Sequence, residues 1–121
     1  AWEAHLTAAV VLSPILKDTY VARKGRGALL NGKKIRVSGT RKLSEALLTT
    51  GFGTSSVDVH DAVLAFERAS LRSRAIRRPG SAALDLAYTA AGVFDGYWER
   101  DLKPWDIMAG VLLVQEAGGT V

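Results

Sequence analysis

The sequence contains no cysteine among its 121 residues, and aromatic residues make up only 7% of it. Without cysteine, neither a disulfide framework nor a thiolate metal site can form, which fits a protein of the reducing cytoplasm. No apolar run approaches the ~20 residues that a membrane span needs, so we expect no membrane partner. Apolar residues make up 48% and charged residues 23% of the chain, a composition typical of folded globular proteins.

Positive charge is in modest excess, with 16 Lys and Arg against 12 Asp and Glu, a net charge of +4. The basic residues are spread through positions 23–42 and 68–78. They are not interleaved with the aromatic residues that a surface for single-stranded nucleic acid requires. The charge therefore favours small phosphate-bearing ligands over nucleic acid.

The first third of the chain reads as short strands. Apolar, β-branched runs at 7–12 and 19–22 are separated by the Ser13-Pro14 break. Two further runs, at 28–30 and 34–37, flank Asn31-Gly32, a pair that favours a tight hairpin because both residues tolerate positive φ. We predict an antiparallel meander that belongs to a larger sheet.

An alternative for this region is a nucleotide loop. Gly27 and Gly32-Lys33 have the spacing of a phosphate-binding loop, but Lys34 stands where such a loop needs a Ser or Thr hydroxyl for magnesium. The loop also requires a following helix, whereas the sequence predicts a hairpin. The hairpin is the preferred interpretation.

From residue 46 onward, predicted strands and helices alternate, which indicates an α/β layer. The fold class is therefore α/β, with α+β character in the first third. We predict the end of an antiparallel subdomain at 1–40 and an α/β subdomain at 41–121. The strands are expected at 46–50, 74–78, 95–99 and 119–121, and the helices at about 58–71, 82–91 and 104–117.

The last predicted helix carries a carboxylate in its first turn. Pro104 suits the first helical position, and Gly118 is placed to end the helix in a left-handed conformation. Asp106 falls among the free N–H groups of the first turn, where the helix dipole favours negative charge. From the residues alone, it is either a helix-start residue or a ligand for a hard metal ion.

The run Trp105-Asp106-x-x-Ala109-Gly110, followed by Glu116-Ala117-Gly118-Gly119, resembles the C-terminal signature of the inositol monophosphatase family, and the preceding Leu-Lys-Pro resembles its bacterial members. Three further segments agree in order and spacing. They are Ala22–Ala28 with Asn31-Gly32, then 51–55 (Gly-Phe-Gly-Thr-Ser), then Gly80–Leu86 with Glu99. The resemblance covers nearly the whole chain.

This resemblance implies a layered αβαβα fold of the sugar-phosphatase type and a magnesium-dependent, lithium-sensitive phosphoric monoester hydrolase. Two or three Mg²⁺ ions would be bound, and the enzyme would be a homodimer. The substrate would be a small phosphorylated polyol, with inositol 1-phosphate the leading choice. Relatives acting on a sugar bisphosphate, histidinol phosphate or a 3′-phosphonucleotide are the alternative.

The resemblance also implies roles for individual residues. Asp106 matches the family's catalytic metal ligand, and Glu99 matches the glutamate that accepts a hydrogen bond from a substrate hydroxyl. Gly80, Ser81 and Ala82 match the helix start that lines the pocket for the alcohol part, and Thr54 matches a substrate-side loop. Each role has a structural alternative: Asp106 would be a helix-start residue, Glu99 a solvated charge at a strand end, and Ser81 an N-cap.

Four other charged residues are predicted to be structural or merely solvated. Asp85 lies within a predicted helix and Asp95 lies before a strand. Arg77 and Arg78 could face the substrate, but solvated charges at a strand end are the preferred interpretation. For the two aspartates, a structural role is preferred over a catalytic one.

Two motifs of the family do not occur in the sequence. They are an upstream glutamate-rich segment and Asp-Pro-x-Asp-Gly-Thr, which supply the remaining metal ligands. We therefore expect these residues to be the C-terminal half of a longer enzyme and to be inactive alone. The alternative from another class is a truncated, non-catalytic binding module.

Overall fold

The computed structural model describes residues 6–52 and 59–121. In chain order, its strands and helices are β1 (Ala8–Ser13), β2 (Asp18–Arg23), β3 (Gly27–Leu30), β4 (Lys33–Ile35), β5 (Leu47–Thr50), α1 (Val59–Ser70), β6 (Ala75–Arg77), α2 (Ala82–Ala90), β7 (Gly96–Trp98) and α3 (Pro104–Glu116). A short 3-10 helix at Leu43–Glu45 separates the meander from the α/β layer.

The first four strands form an antiparallel sheet in the order β1-β2-β3-β4. Asn31 and Gly32 link β3 to β4 with φ angles of 49° and 78°, as a hairpin turn of the predicted kind requires. The Asn31 side chain also accepts the backbone N–H of Thr19 at 2.8 Å. The predicted meander is confirmed, and the nucleotide loop is excluded because a strand follows Lys33 where that loop needs a helix.

A second sheet is parallel, with β5 in the centre and β6 and β7 on either side. Helix α1 connects β5 to β6, and α2 connects β6 to β7, as expected for an alternating α/β layer. The hydroxyl of Thr50 donates to the backbone carbonyl of Trp98 at 2.7 Å and ties the carboxyl ends of β5 and β7 together. The predicted α/β class is confirmed.

Helix α3 begins and ends where the sequence predicts. Pro104 is its first residue, and Gly118 has a φ of 89° just beyond its end. The N–H of Gly119 donates to the carbonyl of Val114 at 2.9 Å, which satisfies one of the last free carbonyls. Gly110 allows α3 to approach α2, because a Cβ there would overlap the Leu86 side chain.

One hydrophobic core joins the meander to α2 and α3, with members such as Ala22 from β2, Ala87 from α2 and Leu113 from α3. Glu116 adds a polar link between the two regions. Its Oε1 accepts the N–H of Gly25 and its Oε2 that of Gly27, each at 2.8 Å. The division into subdomains at residue 40 stays a prediction.

The strand predicted at 119–121 is absent, and these three residues are irregular. The pattern of Gly-Thr-Val favours a strand, but a strand needs a neighbour with which to form hydrogen bonds, and no described strand pairs with it. Among the described helices, none is both long and apolar enough to cross a membrane.

Candidate functional site

A cavity of about 500 Å³ opens at the carboxyl ends of the parallel strands, which is where ligands bind in open α/β sheets. Five of the six predicted site residues line it: Gly80, Ser81, Ala82, Glu99 and Asp106. The sixth, Thr54, lies outside the described residues. Segments far apart in the sequence thus converge on one concave surface.

Asp106 lies in the first turn of α3, with one carboxylate oxygen anchored. The backbone N–H of Lys103 donates to Oδ2 at 2.9 Å, and the N–H of Asp106 donates to the carbonyl of Lys103 at the same distance. These two bonds fix the carboxylate at the cavity wall, while Oδ1 accepts no hydrogen bond from the described residues. A rigid carboxylate with a free oxygen suits a hard divalent cation.

Asp106 alone does not make a complete metal site. The described residues contain no group of three or more His, Cys, Asp or Glu side chains that could hold an ion. Magnesium prefers octahedral oxygen coordination and usually keeps several waters. The carboxylate therefore fits one position in a larger ligand set.

Glu99 follows β7, and its carboxylate contacts two residues, Tyr97 and Gly51, that were not predicted to belong to the site. The phenol of Tyr97 donates to Oε2 at 2.7 Å. Burial, and then this hydrogen bond, raise the pKa of Tyr97, so it remains a donor. On the other side, the Glu99 carboxylate lies against Gly51, where a Cβ would overlap it. The i, i+2 spacing of Tyr97 and Glu99 could have indicated a shared face.

The start of α2 forms another wall of the cavity. Gly80 has a φ of 90°, and the Ser81 hydroxyl accepts the N–H of Leu84 at 3.4 Å as the N-cap. The N-cap predicted for Ser81 is confirmed. The N–H groups of Ala82 and Ala83 have no partner within an α-helix, and both residues line the cavity, so a polar or anionic ligand could accept from them.

The two aspartates predicted to be structural make internal hydrogen bonds. Asp85 is fully buried; its Oδ1 accepts the Thr49 hydroxyl at 3.0 Å, while its Oδ2 has no hydrogen-bond partner among the described residues. Burial raises the pKa of Asp85, and the nearby Glu99 carboxylate adds to the increase. Asp95 accepts the N–H of Leu47. Burial acts to raise its pKa, but hydrogen bonds from Ser38, Leu47 and Thr40 outweigh this and lower it.

The two neighbouring arginines occupy different surroundings. Both side chains are exposed. Arg77 donates to the carbonyl of Ile76 at 3.0 Å. Arg78 instead lines the cavity, with its guanidinium carbon 4.1 Å from the centre of the Phe52 ring. Arg78 is exposed to solvent, as predicted for a charge at a strand end, but its guanidinium also lies over the Phe52 ring, a contact that the sequence did not predict.

A larger cavity of about 570 Å³ borders β7. It shares Glu99 and Leu102 with the first cavity but includes neither Asp106 nor the start of α2. The smaller cavity brings together both candidate carboxylates and the N-terminal ends of two helices. That combination of groups makes it the better candidate for phosphate chemistry.

The sequence model of the inositol monophosphatase family matches residues 2–121. The chain belongs to the inositol monophosphatase family. It is 49% identical to "Nus factor SuhB" of Pseudomonas aeruginosa over 99% of its length, and 46% identical to "Inositol-1-monophosphatase" of Rhizobium meliloti over 97%. It spans 45% and 44% of those two proteins, respectively.

Solved structures of family members share the fold. An inositol monophosphatase from Anabaena (Nostoc) superimposes with a TM-score of 0.88 at 41% identity, covering 94% of this chain and 46% of its own. The extragenic suppressor protein suhB of Bartonella henselae gives a TM-score of 0.89 at 39% identity, with coverages of 93% and 43%. The chain therefore spans somewhat less than half the length of these family members.

Proposed function

We propose that the full-length protein hydrolyses a small phosphate monoester in a magnesium-dependent reaction, with inositol 1-phosphate as the leading substrate. The convergence of Asp106, Glu99 and the start of α2 on one cavity carries this proposal. These groups match the three needs of the reaction: a ligand for the metal, an acceptor for a substrate hydroxyl, and donors for the remaining polar groups.

In this proposal Asp106 contributes one ligand to a magnesium site, and the other ligands come from outside these 121 residues. Bound magnesium would stabilise charge on the transferring phosphoryl group and lower the pKa of the attacking water. The hydrogen bond from Lys103 to Oδ2 orients the Asp106 carboxylate before any ion binds.

The alcohol part of the substrate would lie against Glu99 and α2. Glu99 is an acceptor on both oxygens, and Tyr97 occupies only one position on Oε2. A substrate hydroxyl can therefore donate to the Glu99 carboxylate while the N–H groups at the start of α2 donate to other substrate oxygens. In the hydrolysis, a new P–O bond forms to water, the ester P–O bond breaks, and the alcohol leaves with a proton.

The test is phosphate release by the full-length protein from inositol 1-phosphate, with and without Mg²⁺. Substrates for the alternatives are a sugar bisphosphate, histidinol phosphate and a 3′-phosphonucleotide, compared by kcat/KM. Highest kcat/KM on inositol 1-phosphate with magnesium is the expected result. Preference for a nucleotide would overturn the substrate assignment, and no release from any ester would favour the non-catalytic module.

The remaining family properties belong to this proposal. The active protein would be a homodimer in the cytoplasm, would bind two or three Mg²⁺ ions and would be inhibited by lithium. The 121 residues alone would be inactive, because Asp106 is their only carboxylate proposed to bind metal. Assaying phosphate release by these residues and by the full-length protein at equal concentration tests that statement.

A further inference from the structure

Three charged side chains are found among the described residues that line the candidate active site: Glu99, Asp106 and Arg78. The proposed function assigns the two carboxylates and leaves the arginine without a role. A cation in a cavity that takes an anionic substrate affects which substrates are accepted. The position and support of Arg78 indicate which part of the substrate it contacts.

The guanidinium of Arg78 is held by an aromatic support. It lies over the ring of Phe52, with 4.1 Å between its central carbon and the ring centre. Phe52 in turn packs edge-to-face against Phe66 of α1, with ring centres 5.8 Å apart and an angle of 75° between the planes. The ring supports the exposed guanidinium from one side, and an arginine placed in this way can still donate its N–H groups to a ligand.

Arg78 and Glu99 lie on opposite sides of the central strand. Arg78 directly follows β6 and Glu99 directly follows β7, and both strands are parallel neighbours of β5. Adjacent strands are about 4.8 Å apart, which separates the two backbones by roughly 10 Å. After β5, Gly51 lies against Glu99 and Phe52 supports Arg78. The cavity therefore has an acceptor on one side and a cationic donor on the other.

We infer that Arg78 is a specificity-determining residue that binds an anionic group, a carboxylate or a second phosphate, on the alcohol part of the substrate. This inference rests on the proposed phosphatase function. An arginine fork matches the two oxygens of such a group with parallel hydrogen bonds. Glu99 repels an anion, so a substituent of this kind is directed to the Arg78 side, while a hydroxyl is accepted on the Glu99 side.

Glycerol 2-phosphate and 2-phosphoglycerate form a matched pair of probes. They carry the same phosphate ester and differ in one group, a hydroxymethyl in the first and a carboxylate in the second. The full-length enzyme, its Arg78→Gln and Arg78→Lys variants and an Arg77→Gln control are assayed on both esters with Mg²⁺. Arg77 carries the same charge one residue earlier but bonds to the Ile76 carbonyl and does not line the cavity.

Arg78→Gln is expected to lower kcat/KM on 2-phosphoglycerate by about tenfold or more, mainly through KM, since a hydrogen-bonded charge pair is removed. On glycerol 2-phosphate the expected loss is under about threefold, because this ester makes no charge pair with Arg78. Arg78→Lys keeps the charge but loses the forked pair of donors. Its kcat/KM on 2-phosphoglycerate should therefore lie between the values of wild type and Arg78→Gln. Arg77→Gln should behave like wild type on both esters.

Equal losses on the two esters, or no loss on either, would overturn the inference while leaving the phosphatase function intact. So would a wild-type enzyme that hydrolyses glycerol 2-phosphate but not 2-phosphoglycerate. A wild-type protein that releases phosphate from neither of these esters nor from inositol 1-phosphate would overturn the proposed function, and this inference with it.

Discussion

The carboxylate of Glu99 lies directly against the Cα of Gly51, in space that any side chain at position 51 would fill. Gly51 follows the central strand β5, and Glu99 follows its neighbour β7. The phenol of Tyr97 holds the same carboxylate from another direction. A glycine at the end of one strand thus determines where the acceptor on the next strand can lie.

We expect Gly51→Ala to displace Glu99 and to weaken binding of a polyol phosphate. The new methyl group would overlap the carboxylate, and a hydrogen bond to a charged group is worth roughly 1.5–3 kcal/mol. KM for inositol 1-phosphate should therefore rise by about tenfold or more. Steady-state kinetics of the full-length enzyme measure this change.

Gly39→Ala is the control for that substitution, because nothing lies within 4 Å of the Cβ position at residue 39. Its KM should equal that of wild type. A Gly51→Ala enzyme with unchanged KM would show that Glu99 does not bind the substrate in the conformation described.

Because Asp85 is buried, we expect the difference in stability between wild type and Asp85→Asn to depend on pH. Burial raises its folded-state pKa above the ordinary value of 3.8, so the folded state holds the proton more tightly than the unfolded state. Below about pH 3.8 both states are protonated, and as the pH rises through the folded pKa the wild type loses stability. Asp85→Asn, which cannot ionise, lacks this loss and keeps an oxygen for Thr49.

The free energy of unfolding of the full-length protein, measured in urea from pH 4 to pH 8, tests this point. The difference between Asp85→Asn and wild type should shift in favour of the variant as the pH increases. A difference that is constant over this range would mean that Asp85 ionises alike in the folded and unfolded states.

For Glu116 we expect the opposite pH dependence of stability. The N–H groups of Gly25 and Gly27 lower its pKa below the ordinary value of 4.5. The carboxylate therefore stabilises the fold above about pH 4.5, and that contribution is lost as the pH falls through the lowered pKa. Glu116→Gln should be less stable than wild type at neutral pH, and the gap should close on acidification.

Glu45→Gln is a suitable comparison for Glu116→Gln. Glu45 forms an ion pair with Lys42 in which both side chains are largely exposed, and such pairs contribute little. Urea unfolding should detect almost no pH-dependent change in that variant. If Glu116→Gln behaves in the same way, the link between the β2–β3 turn and α3 does not stabilise the fold.

Local signals in the sequence predicted most of the fold. Asn31-Gly32 specified a hairpin and Pro104 with Gly118 specified the bounds of α3, because turn and cap preferences depend on a few adjacent residues. The prediction of a strand at 119–121 was wrong, because a strand forms only beside a neighbouring strand and a local sequence pattern does not show whether one is there. Asp106 and Glu99 were selected by family resemblance, and the structure brings them to one cavity.

The contacts that position Glu99 and Arg78 in the site could not be predicted from the sequence. The contact between Gly51 and Glu99 depends on the order of β5 and β7 in the sheet. The stacking of Arg78 on Phe52 joins residues 26 positions apart. Both follow from which strands become neighbours, and periodicity within a single segment does not contain that information.

The central claim is that Asp106 binds a catalytic magnesium ion, and Asp106→Asn in the full-length protein tests it most directly. We expect magnesium-dependent release of phosphate from inositol 1-phosphate to fall by roughly a hundredfold or more, because the amide carries no negative charge. Asp61→Asn, at an exposed ion pair with Arg100, should keep wild-type turnover. A folded Asp106→Asn enzyme with unchanged turnover would remove Asp106 from the active site.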